Sequence, residues 1–183
     1  MNIFFLDKDP VKAAEMYCDK HKVKMILEFA QIACTNIQLL GLVKPEDQLN
    51  FKLYKPVHKN HPSTKWAREA DGNVRWFFTH ALALCKVYTQ CYGKVHKSQA
   101  VIEGCWGIHS KHLENNRITE FAVAIKDFPK LNDPVETYRN YYVQDKHKFA
   151  KWKNEVPDWY IQGIKNLNNK SDVALLETTI GGR

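Results

Sequence analysis

The stretch DKHKVKMILEFAQIACTNIQLL, residues 19–40, carries polar side chains at His21, Lys24, Glu28, Gln31, Thr35 and Gln38, spaced by threes and fours. At about 100° per residue these six fall within an arc of roughly 100°, the mark of one long helix. Val23, Met25, Ile26, Leu27, Phe29, Ala30, Ile32, Ala33, Cys34, Ile37, Leu39 and Leu40 fill nearly all the remaining circumference. A helix this apolar is packed on most sides, and its polar stripe faces either a strip of solvent or a lined cleft. Glu28 sits mid-stripe between Lys24 and Gln31, with His21 two turns back. In a cleft it is a carboxylate whose ionisation and orientation a site can set.

Helical spacing recurs along the chain, and alternating β patterns are scarce after the first residues, so a mostly α, single compact helical domain is expected. Asp9-Pro10 opens a short helix through Cys18, Gly41 ends the long one, and Lys44-Pro45 starts a loop. Pro62 suits the first turn of another helix, Asp71-Gly72-Asn73 breaks it, and Asn73 caps a core helix running to Gly93. Residues 98–132 offer no motif. Asp133-Pro134 starts a helix through about Asn154, and Pro157-Asp158-Trp159-Tyr160 reads as a stop followed by an aromatic anchor. The expected division is a domain over residues 1–164 and a loose tail over 165–183, with a short helix at Asp172–Glu177.

The net charge of +7 is unevenly spread: residues 44–97 hold ten Lys/Arg against four Asp/Glu, while the flanking parts nearly balance. A local basic region with interleaved aromatics points to DNA as partner. His58, Lys59, His61, Ser63, Lys65 and Arg68, at and within a helix start, are candidate phosphate contacts. Lys94, His96 and Lys97 follow the core helix, and Arg139, Tyr142, Lys146 and Lys153 share one face at helical spacing, with Arg139 a further nucleic-acid contact. No apolar run of about 18 residues occurs and MNIFFLDKDP lacks a basic start, which predicts no membrane segment or signal peptide and a cytoplasmic protein, in the host cytoplasm if viral. Five cysteines without a CxxC pair read as reduced thiols. His58-x-x-His61 and His109-x-x-His112 have no HExxH or paired cysteine half-site beside them, and Walker, GxGxxG and GxSxG motifs are missing, so no metal or cofactor is expected.

His21 and Glu28 seven apart on a helix, His61-Pro62, the Tyr92-Gly93 turn and the aromatic Pro157-x-Trp159-Tyr160 together resemble the T4-type pyrimidine-dimer DNA glycosylase family. The opening MNIFFLD and the HPS-x-x-W segment resemble proteins of tailed phages, over most of the chain. The first resemblance implies a compact helical fold of the endonuclease V type. It also implies a glycosylase/lyase in which an N-terminal amine, of Met1 or Asn2, attacks the sugar carbon. Glu28 would be the assisting carboxylate and His21 a substrate contact; Lys24, one turn from Glu28, is the rival amine if desolvated. Leu27 and Gln31 stand where that family has DNA-gripping arginines, and Gln31 is kept as a candidate DNA contact. Another type of phage nucleobase-modifying enzyme, or a non-catalytic DNA- or host-protein-binding factor, is the alternative.

Overall fold

Residues 2–6 are extended and residues 3–6 deeply buried, with Ile3, Phe5 and Leu6 fully enclosed. The computed structural model, which describes residues 2–49 and 51–180, wraps helices around this apolar thread. They are α1 (Pro10–Glu15), α2 (Asp19–Leu39), α3 (Pro62–Glu69), α4 (Asp71–Tyr92), α5 (Gln99–His109), α6 (Pro134–Gln144) and α7 (Asp158–Ile180). Short 3-10 turns stand at Pro45–Leu49, Ser110–His112 and Lys146–Lys148, and no strand occurs among the described residues. The protein is an all-α compact fold, and no helix among the described residues is long and apolar enough to cross a membrane.

One hydrogen-bonded relay ties the N-terminal thread to the helices. The Phe4 N–H donates to the Tyr17 hydroxyl at 2.9 Å, which lies 3.0 Å from His80 Nε2, while His80 Nδ1 lies 2.9 Å from the Pro10 carbonyl. Because the carbonyl only accepts, Nδ1 carries the proton and Tyr17 donates to Nε2. Burial pushes the His80 pKa down to about 4, so the ring is neutral. Around this relay Phe5 stacks on Phe121 and meets Trp66 edge-on, and Trp76 stacks on His80.

Several boundaries differ from the sequence reading. The break between α3 and α4 falls at Ala70, whose backbone is extended, so Asp71-Gly72-Asn73 is already the first turn of α4 and Asn73 lies inside the helix it was expected to cap; these turn-forming residues hold the crossing 114–119 segment. The Asp71 carboxylate accepts from the Glu114 and Asn115 N–H groups, and Asn73 bonds both Trp66 O and Thr119. A Cβ on Gly72 would lie 2.4 Å from the Arg117 carbonyl oxygen, so only glycine permits that approach. Residues 99–109 form a helix that no motif announced. The helix from Pro134 stops at Gln144 instead of reaching Asn154, which takes Lys146 and Lys153 off any shared helix face with Arg139. Asp19 draws the following segment inward instead, its N–H donating to Lys151 O and its carboxylate accepting from the Lys153 N–H. Pro157 precedes the first turn of α7 and so starts a helix where a stop was expected. That helix runs on to Ile180, so the short helix expected at 172–177 is part of a longer one.

Candidate functional site

The polar stripe of α2 divides into a covered and an open edge. His21, Glu28 and Thr35 turn toward the N-terminal thread and the 54–63 segment and are buried, whereas Lys20 and Lys24 reach solvent and Gln31 is half-buried. Val23 and Leu27, expected within the packed circumference, are each 44% exposed. From Lys20 to Gln31 the arc between about −100° and 0° from Lys24 is therefore the open face, with the carboxylate just behind its edge, whereas further along the same arc Cys34 is buried under the Tyr54 main chain.

Glu28 is the centre of the covered edge, its side chain 11% exposed. Its Oε2 accepts the Asn2 main-chain N–H at 3.1 Å, and its Oε1 pairs with Lys24 Nζ at 3.3 Å. The Asn2 carboxamide is held in turn. Its Oδ1 accepts from Tyr138 OH at 2.9 Å, from Ser63 Oγ at 3.3 Å and from the Ile3 N–H at 2.8 Å, and its Nδ2 donates to Ala124 O at 3.3 Å. A main-chain nitrogen two residues into the sequence thus sits on a nearly buried carboxylate, fixed from α2, α3, α6 and the 122–124 segment. Met1 lies outside the described residues.

The other expected catalytic groups are placed differently. His21 is a buried core residue: its Nδ1 lies 2.5 Å from Tyr142 OH, its ring stacks on Phe4 at 4.4 Å, and burial pushes its pKa down to about 3. That neutral, enclosed imidazole has no face for a substrate. Lys24 is two-thirds exposed, so it is a solvated cation beside the carboxylate and not an amine inside an apolar cleft.

The basic candidates fall into two groups. Lys59, Lys65, Lys94, Lys97 and His58 are exposed, His58 with φ at 48°. Ser63 is fully buried on Asn2 and cannot reach phosphate. Arg68 donates to Asn36 Oδ1, Thr64 O and Lys59 O, tying the 58–61 loop to α2 and α3, and burial lowers its pKa. His61 caps α3, its Nδ1 accepting the Ser63 N–H, with its pKa lowered by burial. His96 Nδ1 accepts the Ser98 N–H within the turn that follows α4, and burial lowers its pKa. Arg139 lies at the other end of the thread, bonded to Leu6 O and paired with Asp7 and Glu136.

Tyr138 is the site residue that sequence reading missed, and no local signal marks it: it meets Asn2 across 136 positions. The cavities between α6 and α7, beside Lys153–Trp159 and beside Ile118–Phe121 contain neither Asn2 nor Glu28. Among the described residues no cluster of three or more His, Cys, Asp or Glu could hold a metal ion. No protein-family model matches the chain, and neither a curated protein nor a solved structure matches it significantly.

Proposed function

We propose that the protein is a DNA glycosylase/lyase of the pyrimidine-dimer type, acting on a damaged or modified base through the Asn2 nitrogen and Glu28. The observation that carries this reading is the 3.1 Å contact between that nitrogen and the buried carboxylate. With Met1 removed, the nitrogen is a primary α-amine, whose ordinary pKa near 8 leaves far more free base at neutral pH than a lysine has. The amine attacks C1′ of the target sugar. The glycosidic bond breaks and the base leaves with one of the amine's two N–H protons, while ring opening at C1′–O4′, with loss of the second, gives an enzyme-linked imine. Glu28 takes the proton released by the amine and returns one to O4′. Loss of a C2′ proton then expels the 3′ phosphate, and water hydrolyses the imine to free the amine. Lys59 and Lys65 at the start of α3, and Lys94 and Lys97 in the turn after α4, are exposed and supply solvated cations for the phosphate backbone.

Borohydride reduction of the protein on abasic-site DNA tests the reading. A covalent adduct is expected, mapping by peptide mass to Asn2 and persisting in Lys24→Arg. Glu28→Gln keeps the shape but removes the base, so single-turnover cleavage should fall by about 10²–10⁴-fold with DNA affinity retained. No adduct on abasic, dimer-containing or hydroxymethylated DNA refutes the lyase mechanism.

A further inference from the structure

We propose that Tyr138 and Ser63 are positioning residues that clamp the Asn2 carboxamide and thereby hold its main-chain nitrogen against Glu28. The inference deepens the glycosylase/lyase reading and rests on it for its catalytic meaning. Chain termini fray unless tied down, and burial of Ile3, Phe4, Phe5 and Leu6 already ties this one. Anchoring the thread therefore does not require a hydrogen-bonded residue 2. Yet Asn2 makes four side-chain hydrogen bonds, and two of them come from fully buried hydroxyls on α3 and α6.

The clamp has a hierarchy. The Tyr138 hydroxyl accepts the Ala124 N–H at 3.0 Å and has two acceptors in reach for its one proton, Asn2 Oδ1 at 2.9 Å and Ala122 O at 3.1 Å. It thus organises the 122–124 segment, whose Ala124 carbonyl receives Asn2 Nδ2. Ser63 adds a longer contact from the first turn of α3. Removing the Tyr138 hydroxyl loosens both ends of the carboxamide, whereas removing the Ser63 hydroxyl loosens one. With the carboxamide unclamped, residue 2 is held at its side chain no longer and its backbone is free to shift, which carries the main-chain nitrogen off the carboxylate; a displacement near 1 Å at a reacting atom costs about 10²-fold in rate.

The test uses full-length chain prepared with Asn2 as its first residue, checked by intact mass, and labelled with ¹⁵N at asparagine. Titration of the α-amine resonance is recorded with and without Glu28→Gln, in wild-type, Tyr138→Phe and Ser63→Ala backgrounds. A carboxylate held at hydrogen-bond distance favours the protonated amine, so Glu28→Gln should lower the wild-type midpoint by roughly half a pH unit or more. In Tyr138→Phe that response should vanish, and in Ser63→Ala it should shrink. On abasic DNA, Tyr138→Phe should slow single-turnover adduct formation about 10–100-fold while the DNA Kd is unchanged. An equal midpoint response in all three backgrounds, or none in wild type, overturns the clamp even if the protein forms the adduct. Loss of the response in Tyr138→Phe supports the clamp even if no DNA adduct forms, in which case the lyase reading falls alone.

Discussion

Tyr17→Phe removes one oxygen from the centre of the protein and leaves the ring in place. The Phe4 N–H then has lost its acceptor, and His80 Nε2 its donor, since Nδ1 is already committed to Pro10 O. Tyr17 and His80 are fully buried and Phe4 nearly so. An orphaned buried polar group costs about 1–3 kcal/mol, so the two together should cost about 2–6 kcal/mol. For a chain of this length each kcal/mol lowers the Tm by about 2–4 °C, which gives a fall of roughly 4–24 °C. Thermal and urea unfolding followed by far-ultraviolet circular dichroism measure it, with the midpoint shifted and the urea slope unchanged. Tyr54→Phe is the control: its half-buried hydroxyl makes a single hydrogen bond, to Ser98 Oγ, so its removal strands one group where Tyr17→Phe strands two. A Tm within about 2 °C of wild type for Tyr17→Phe, or an equal loss in the control, refutes the relay as a source of stability.

Acid should unfold the protein through its buried histidines. His21, at about 3, and His80 and His109, each at about 4, are held below the ordinary 6.5 chiefly by burial. The unfolded chain therefore binds more protons below pH 6.5, and the stability present above that pH is lost as pH falls toward 4, by up to about 1.4 kcal/mol per pH unit for a fully buried ring. A Tm that stays flat between pH 7 and pH 4.5 contradicts this. Affinity for DNA should fall with salt by about 0.9 log units per log unit for each phosphate neutralised, and Lys59, Lys65, Lys94 and Lys97 changed together to Glu should flatten that slope. Arg68 is excluded from that set because its guanidinium holds Asn36, Thr64 and Lys59 in place. An unchanged slope counts against the basic surface as the binding face.

The amino-acid sequence by itself determined the helices whose signals are local. The periodicity of residues 19–40, Asp9-Pro10, Pro62, Asp133-Pro134 and the glycines at 41 and 93 act within a few residues, through capping, proline geometry and the left-handed backbone that both glycines adopt at φ 66°. Glu28 was visible for the same reason, as a carboxylate in the middle of a narrow polar arc. Periodicity reports only that a face differs from the rest of the helix, however, and not what stands opposite it. Only the tertiary structure decided that His21 and Glu28 are covered while Leu27 and Lys24 are open, because the covering groups are Phe4, Asn2 and Tyr142, far away along the chain. The same holds for Asn2, whose role depends on hydroxyls 61 and 136 positions away. It holds also for Asp71-Gly72-Asn73, where residues that locally favour a turn spend that hydrogen-bonding capacity on a crossing segment and so lie within the first turn of α4.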